Sequence, residues 1–564
     1  MMIFRLLRHT ERALVFCLLT SALFVCVSAD GVENPQSAET HLDQGIAFLR
    51  AGRFQAACEE LKIVIRQNPQ SAEGYIYMGI AENQLGRYAD AVPVFRDALR
   101  LDQNSEAAHY NYSLSLLGLH KTDEAVRELR KVVELNPGNG TANYNLGLLL
   151  AQEGDLKKAC EYLENARAVQ PDDSDVLIHL VDLYLRTGND ANALELVHEG
   201  TKLDSSGKLS MQMGKFLVEN GRFTDAVPVL EGAQNLLPDT PEITGYLARA
   251  YLGASQPAKV IALLAPIRDE EASWEVYYLR GLAFVSMGQR EEAAQALLKA
   301  LPMRPGEASI HYAFGKLILG SKEIKGRQAG VYEISKAIEL SPHTSEYYLT
   351  LASYYFDTGD IKAAIKLLKS ALDLVPPTVD IYVTLGLAEL EIGGPVTAKP
   401  FIEKAIALDP HAGAGYDLLG RCYMRVGDDE DAAKYYMKAA ELTPENDIFS
   451  RDAAIVLDKL DRPEEGLPFA EKSVKLRPDE VYNHYILGKL YSSTGHGADA
   501  IRELETCVHV NPNNFLPYNL LAVLYKHAGN EAEAKRCWST LKALKEQSAR
   551  ETNQKFAELR SVPH

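Results

Sequence analysis

Glycine, alanine and proline recur with a period of 34 residues over most of the chain, from about Ala38 to Lys545. One copy of the pattern contains Gly147, Gly154 and Pro171 at fixed offsets. A fixed period of this length is typical of a stacked array of small units and not of one globular core. The sequence therefore predicts a repeat protein.

Small residues within each repeat indicate how its parts pack. Position 8 is small in fourteen of fifteen repeats, with Val181 as the exception, and position 20 is Ala in twelve. Gly inside a helix costs about 1 kcal/mol relative to Ala, so its recurrence indicates that a second helix packs closely there. Gly at position 15 and Pro at position 32, in eleven repeats each, suit helix ends. Each repeat is predicted to be a pair of antiparallel helices, and the repeats begin at Ala38, Ala72, Glu106, Gly140, Ser174, Gly207, Pro241, Trp274, Ala308, Ser345, Val379, Gly413, Asp447, Val481 and Phe515.

This pattern resembles the tetratricopeptide repeat family, through the small residues at positions 8 and 20, the Gly at position 15 and the Pro at position 32. The resemblance covers roughly nine-tenths of the chain. It implies an all-α fold, namely an α-solenoid that forms a right-handed superhelix of about fifteen helix-turn-helix units and ends in a C-terminal capping helix.

The regularity of the repeats varies along the chain. The repeat from Ser174 has Val181, Gly200 and Ser205 at signature positions, and the repeat from Pro241 has Val260 at position 20. Neutral drift is one explanation of these departures. The alternative is a less rigid junction, or a loop that contacts a partner, between an N-terminal and a C-terminal block of repeats. We predict a signal peptide at 1–29, a lead-in at 30–37, eight repeats at 38–307, an irregular repeat with three extra residues at 308–344, six repeats at 345–545 and a capping helix and tail at 546–564.

The first 29 residues differ from the rest of the chain. Arg5, Arg8 and Arg12 precede an apolar run over 13–27, and Val27-Ser28-Ala29 follows the pattern of a cleavage site. This order is typical of a secretory signal peptide, so we expect a periplasmic or secreted chain. The run is short for a membrane span, and we expect no stable membrane insertion after cleavage. An uncleaved anchor that tethers the chain to the membrane is the alternative.

Charge and motifs argue against several kinds of chemistry. The net charge of −18 disfavours nucleic acid as a partner, because like charges repel. Motifs for zinc hydrolysis, nucleotide binding or a nucleophilic serine are lacking, so we predict no enzyme activity and no catalytic, cofactor-binding or metal-binding residues. The histidines at position 4, such as His109, His311 and His484, are interpreted as packing residues. Cys507 and Cys537 lie in neighbouring repeats, and buried thiols are favoured over a disulfide.

The family resemblance also implies a binding groove. In the family, positions 2, 5, 6, 9, 12 and 13 of the first helices face a concave groove, and an asparagine at position 6 bonds the backbone of an extended peptide. Packing between first helices is the alternative role for Tyr at position 5. The family's clamp for a C-terminal carboxylate is not matched, because apolar residues occupy its positions. The predicted groove residues are Ile76, Ile80, Tyr110, Asn111, Leu114, Tyr144, Asn145, Leu148 and Ile178.

These observations predict a non-enzymatic scaffold that holds a protein or peptide partner in the secretory or cell-envelope space. One alternative is an accessory subunit of an envelope enzyme or export complex, whose activity is supplied in trans. A purely structural spacer with an empty groove is another. The sequence leaves the oligomeric state open.

Overall fold

The computed structural model describes residues 37–560, which form thirty α-helices and no β-strand. The all-α prediction is therefore confirmed. The predicted signal peptide at 1–29 lies outside the described residues, as does most of the predicted lead-in. None of the helices in the described range combines the length and apolar character that a bilayer span requires.

The helices follow one another in fifteen pairs, one pair for each predicted repeat. The first helices are α1 (Ala38–Arg50), α3 (Ala72–Gln84), α5 (Glu106–Gly118), α7 (Gly140–Glu153), α9 (Ser174–Arg186), α11 (Lys208–Glu219), α13 (Pro241–Gly253), α15 (Trp274–Ser286), α17 (Ala308–Leu319), α19 (Ser345–Asp357), α21 (Val379–Gly393), α23 (Gly413–Val426), α25 (Asp447–Lys459), α27 (Val481–Ser493) and α29 (Leu516–His527). The second helices are α2 (Phe54–Gln67), α4 (Tyr88–Leu101), α6 (Thr122–Leu135), α8 (Leu156–Val169), α10 (Asp190–Leu203), α12 (Phe223–Leu236), α14 (Pro257–Leu264), α16 (Arg290–Met303), α18 (Ile324–Leu340), α20 (Ile361–Ala371), α22 (Pro395–Leu408), α24 (Asp429–Leu442), α26 (Pro463–Leu476), α28 (Gly497–Val510) and α30 (Glu531–Arg560).

The chain divides into two compact units, one ending at Ala293 and the other beginning at Ala294. The predicted blocks at 38–307, 308–344 and 345–545 stay a prediction. Within each unit, the helices that pack together are consecutive in the chain or separated by one helix. Each unit is thus a stack of helix pairs in which a repeat contacts its neighbours, as expected of an α-solenoid.

Helix α7 shows how the sequence sets the ends of a helix. The Asn139 side chain accepts a hydrogen bond from the backbone N–H of Ala142 at 2.8 Å, which caps the N-terminus. Gly154 ends the helix with φ of 88°, a left-handed conformation that glycine adopts without strain. Pro171 follows the end of α8 and prevents its continuation.

Small residues at position 8 allow the two helices of a repeat to approach closely. A Cβ atom at Gly79 would lie 2.5 Å from Cζ of Phe95, whose ring is fully buried in α4. At Gly147 the nearest atom to a Cβ would be Cγ of Leu163, at 2.8 Å. Real Cβ atoms do not come this close to other heavy atoms, so a larger residue does not fit at these sites. Glycine fits, although it costs about 1 kcal/mol in helix propensity relative to Ala.

Most neighbouring first helices contact one another within each unit. Among neighbouring second helices in the described range, only α10 and α12 make a comparable contact. The stack within each unit therefore bends toward the first helices. We call the surface formed by positions 2, 5, 6, 9, 12 and 13 of the first helices the inner face of a unit.

The irregular repeats have local structural explanations. Helix α14 is only eight residues long, and the Arg280 guanidinium donates to the carbonyl oxygens of Leu264 and Ile267, at 2.8 Å each, just beyond its end. Helix α18 is seventeen residues long, and its extra length accommodates part of the three-residue insertion in this repeat. Gly330 makes this possible, because a Cβ there would lie 2.9 Å from the carbonyl oxygen of Gly315. The insertion thus extends a packed helix.

The end of the chain departs from a regular repeat in another way. Helix α30 runs without a break through the second helix of the last repeat and the segment predicted to cap the array. Cys507 and Cys537, whose pairing the sequence left open, both carry free thiols. Burial raises the pKa of the Cys507 thiol to about 12, which agrees with a buried apolar role.

Histidines at position 4 pack between the two helices of their repeats and bond a glutamate at position 23, which becomes position 26 in the repeat with three extra residues. The Nδ1 atom contacts a carboxylate oxygen, and in three of the four repeats Nε2 contacts a backbone carbonyl oxygen. At His109, the Glu128 carboxylate and the Gln103 carbonyl oxygen both accept hydrogen bonds, so the imidazolium form satisfies the two contacts together. The pairs are His41–Glu60, His109–Glu128 and His311–Glu333 at 2.6 Å, and His484–Glu503 at 2.7 Å.

Close packing at position 8 predicts opposite effects for two Gly→Ala substitutions. Gly79→Ala is expected to destabilise the protein by about 1–2 kcal/mol, because overpacking costs more than the helix propensity gained. Gly232→Ala, in α12, adds a methyl group where no other atom lies within 4 Å, and it is expected to stabilise by about 0.5–1 kcal/mol. Calorimetric melting temperatures check both. Equal effects of the two substitutions would contradict the packing role of position 8.

The His109–Glu128 pair predicts a pH dependence of stability. The hydrogen bond to Glu128 raises the pKa of His109. Protonated His109 therefore adds to the free energy of unfolding. This contribution is complete below the unfolded-state pKa of about 6.5 and is lost as the pH rises through the higher folded-state pKa. His109→Gln should therefore lower the melting temperature more at about pH 5.5 than at about pH 8.5. The exposed His198 provides the control, since His198→Gln should have a small effect at both pH values.

Candidate functional site

The nine predicted groove residues lie on the inner face of the first unit, on α3, α5, α7 and α9. We call this surface the N-terminal inner face. Ile76, Tyr110, Asn111 and Ile178 are half-buried. The other five are buried, namely Ile80, Leu114, Tyr144, Asn145 and Leu148. Most of these side chains therefore form the floor of the face and contact neighbouring first helices.

Two contacts link predicted groove residues to the neighbouring first helix. The Asn145 side-chain amide donates to the Tyr110 hydroxyl at 3.3 Å and links α7 to α5. The ring of Tyr144 lies 5.8 Å from the ring of His179, which links α7 to α9. The tyrosines at position 5 thus pack between first helices, as the alternative interpretation expected, and they also line the same surface as the amides.

The two asparagines at position 6 are in different environments. Asn111 donates its side-chain N–H to the carbonyl oxygen of Ala107 in its own helix, at 2.8 Å. Asn145 is only 1% exposed, and its side-chain oxygen is buried without a hydrogen-bond partner. An unpaired buried oxygen is costly to the fold. The role of these amides in binding stays a prediction.

A cleft of about 240 Å³ opens on this face between α7 and α9. Its lining combines apolar side chains with polar and charged ones. The volume is below the range of roughly 300–1,000 Å³ that is usual for drug-sized ligands, so it suits a single side chain of a partner. The lining residues are Leu148, Ala151, Gln152, His179, Asp182, Leu183 and Arg186.

Two contacts hold the α9 wall of the cleft. Asp182 and Arg186 form an ion pair at 3.4 Å along α9. Behind α9, the Tyr184 hydroxyl donates to the Glu164 carboxylate of α8 at 2.7 Å. Burial and this carboxylate raise the pKa of Tyr184, so the hydroxyl stays protonated as a donor. The cleft is therefore built on fixed helices.

Sequence reasoning missed a polar network that joins α3 to α5. Asn83 donates to the carbonyl oxygen of Asn111 at 3.0 Å, and Ser115 donates to the Asn83 side-chain oxygen at 2.7 Å. Ser115 is fully buried, so this network satisfies groups that would otherwise be costly. Position 10 of a repeat is usually apolar in this chain, and a serine there is the signal that could have indicated the network.

Comparison with protein families agrees with the repeat architecture. Models described as tetratricopeptide repeat match residues 42–106, 113–163, 150–206, 217–283, 275–306, 345–377 and 413–446. Together they cover more than half of the chain. The chain belongs to the tetratricopeptide repeat family. No curated protein matches it in sequence.

Several solved structures resemble the chain at low identity. The APC/C hetero-tetramer Cut9–Hcn1 contains a chain with 17% identity and a TM-score of 0.36, covering 87% of this chain and 96% of that one. Naa15/Naa10 bound to HypK-THB gives 13% identity and a TM-score of 0.34, with coverages of 93% and 97%. MamA from Desulfovibrio magneticus RS-1 gives 18% identity and a TM-score of 0.28, with coverages of 30% and 96%. These values carry no conclusion about what this chain binds.

Two asparagines of α7 provide a test of which amides are structural. Asn143 donates to the carbonyl oxygens of Pro137 and Asn139, at 2.9 Å each, whereas Asn145 makes one longer bond. Asn143→Ala should destabilise by about 1–2 kcal/mol, and Asn145→Ala by less than about 1 kcal/mol. Chemical denaturation of both variants checks the order. A larger loss for Asn145→Ala would mean that its amide mainly supports the fold.

Proposed function

We propose that the chain is a non-enzymatic scaffold that binds a protein or peptide partner on its N-terminal inner face after export. The cleft between α7 and α9 is the observation that carries this proposal. It lies on the face where first helices of neighbouring repeats meet, and Leu148, one of the predicted groove residues, lines it. Membership of a repeat family that presents such faces supports a protein-interaction role.

The partner would insert one apolar side chain into the cleft. Leu148, Ala151 and Leu183 offer apolar contacts, and the polar groups at the rim orient the segment that carries the side chain. A fixed groove loses little conformational entropy on binding, which favours affinity from modest contacts. Recognition would therefore depend on shape and on a few anchoring contacts.

Export is the second part of the proposal and rests on the order of segments in residues 1–29. The partner would then be a protein of the secretory or envelope space. An accessory role beside an enzyme is compatible with the same face, since the activity would reside in the partner. The mature chain that we propose begins at Asp30.

Filling the cleft should weaken partner capture without unfolding the chain. Ala151→Trp places a large side chain in the cleft, and Ala168→Trp makes the same change at an exposed position of α8. We expect Ala151→Trp to weaken partner binding about tenfold or more, and Ala168→Trp to leave it unchanged. Affinity capture from exported fractions of the native host, with quantitative mass spectrometry, measures both.

The outcomes separate the competing functions. Loss of the same protein from the Ala151→Trp sample alone supports the proposed site. Equal capture by all three chains would place the partner elsewhere on the molecule. If the wild-type chain captures nothing, the structural-spacer alternative is favoured. Melting temperatures of both variants exclude misfolding as the cause.

A further inference from the structure

Three consecutive second helices of the second unit are basic, although the chain is acidic as a whole. Helices α18, α20 and α22 hold eight cationic and three acidic side chains. The next three second helices, α24, α26 and α28, hold five cationic and ten acidic ones. We call the exposed side of α18, α20 and α22 the outer basic surface. Its cationic residues are Lys325, Arg327, Lys336, Lys362, Lys366, Lys369, Lys399 and Lys404.

Ion pairs within the chain do not cancel this surplus. Each of the three glutamates on these helices already has a partner. Lys325, Lys362 and Lys366 are exposed and pair with no carboxylate within residues 37–560. The adjoining turns add one cation and four carboxylates, which leaves nine cationic against seven acidic side chains. The glutamate contacts are Glu333–His311 at 2.6 Å, Glu339–Lys336 at 2.8 Å and Glu403–Lys399 at 3.9 Å.

The same helices expose large apolar side chains. Val396 is 85% exposed, Ile324 is 66% exposed and Tyr332 is 65% exposed. These are the three highest values for large apolar residues in the part of the chain that the structure describes. Ile324, Tyr332 and Lys336 are spaced by eight and four residues, so they lie along one side of α18. Apolar and cationic groups are thus exposed together, as on surfaces that bind partners or membranes.

The insertion in the irregular repeat builds part of this surface. Most second helices begin three residues before position 20, whereas α18 begins six residues before Gly330, which occupies that position. The added residues are therefore 324–326, and they include Ile324 and Lys325. Arg327 fixes the preceding turn, because its guanidinium donates to the carbonyl oxygens of Ser321 at 3.1 Å and Lys322 at 3.0 Å. The insertion thus presents one apolar and one cationic side chain to solvent.

We propose that the outer basic surface binds the surface of a lipid bilayer that contains anionic lipids. The unpaired cations would lie among the lipid headgroups, and Ile324, Tyr332 and Val396 would enter the interfacial layer. The contact is peripheral, since it uses side chains of packed helices. It involves no residue of an inner face, so it is independent of the cleft on the N-terminal inner face.

The types of side chain favour a bilayer over an acidic protein. Seven of the eight cations are Lys and one is Arg. Arg, whose planar group matches a carboxylate, is enriched at protein–protein interfaces, whereas Lys is depleted there. Lipid headgroups are mobile and require no fixed geometry, so a point charge on a flexible stem suits them. The surface therefore has the composition expected for contact with headgroups.

The net charge of −18 is compatible with this contact. The screening length at physiological ionic strength is about 8 Å, so charges farther than this from the bilayer contribute little. A nucleic acid would extend past the surface and meet the acidic helices α24, α26 and α28, which would repel it. It would also leave the exposed Val396 and Ile324 without apolar contacts. A bilayer meets both requirements of the surface.

The test is co-sedimentation of the mature chain with lipid vesicles. The mature chain begins at Asp30, so the apolar leader does not contribute to binding. One set of vesicles contains equal parts of phosphatidylglycerol and phosphatidylcholine, and the other contains phosphatidylcholine alone. The surface variant combines Lys325→Gln, Lys362→Gln and Lys366→Gln. The matched control removes the same charge from exposed positions of other second helices, with Lys62→Gln, Lys202→Gln and Lys475→Gln.

We expect the wild-type chain to bind the phosphatidylglycerol vesicles, and the surface variant to lose about tenfold or more in affinity for them. The matched control should bind within about twofold of wild type. Added salt should weaken binding, because exposed charges are screened. Ile324→Gln should weaken binding by about threefold, and Leu298→Gln, at an exposed position of α16, should leave it unchanged. Melting temperatures of all variants exclude misfolding.

Several results would overturn the proposal. Equal loss in the matched control would reduce the effect to net charge, and equal binding to phosphatidylcholine vesicles would show that anionic headgroups are not recognised. Binding of soluble polyglutamate without binding of either vesicle would assign the surface to acidic proteins. Ala151→Trp should leave vesicle binding unchanged, and the surface variant should leave partner capture unchanged. Failure here and failure of the N-terminal cleft are thus distinguished.

Discussion

Close approach of two helices at one small residue is the contact on which the rest of the structure depends. Glycine at position 8 lets a large side chain of the second helix, such as Phe95 or Leu163, lie against the backbone of the first. Because neither helix can bury its apolar side alone, each pair must also pack on the next. The inner face arises from this stacking, since most neighbouring first helices contact one another while most neighbouring second helices do not.

The two inner faces share a backbone arrangement and differ in chemistry. The N-terminal inner face is mostly apolar and amide-bearing, with Asn145 and Leu148 in its floor. In the second unit, the same positions of the last repeats carry ion pairs, such as Arg421 with Asp417 on α23 and Lys489 of α27 with Asp458 of α25. Since a repeat contacts only its neighbours, one face can change its side chains without disturbing the packing of the other.

The sequence was sufficient to predict the helix pairs, their phase and the turns. Position 8, the glycine at position 15 and the proline at position 32 each have a local physical cause, so they can be recognised without a structure. The capping helix, in contrast, was predicted as a separate helix and is not separate in the structure. Residues after Glu531 continue one helix, because no glycine or proline interrupts the segment.

Side-chain environments were harder to predict than helices. Asn111 and Asn145 share position 6, yet one bonds its own helix and the other bonds Tyr110 of the preceding repeat. The difference depends on residues about 34 positions away, which a pattern for one repeat does not include. The contact between Arg421 of α23 and Asp452 of α25 was missed for the same reason, since it joins two repeats. The short α14 likewise depends on Arg280 of the next repeat.

The central claim is that each repeat is held in place by its immediate neighbours. Native-state hydrogen exchange, followed by mass spectrometry, tests it most directly because it measures the stability of each helix separately. The account predicts graded protection, with the shortened α14 and the terminal helices exchanging before the interior repeats of each unit. Exchange of all helices in one cooperative step would contradict it.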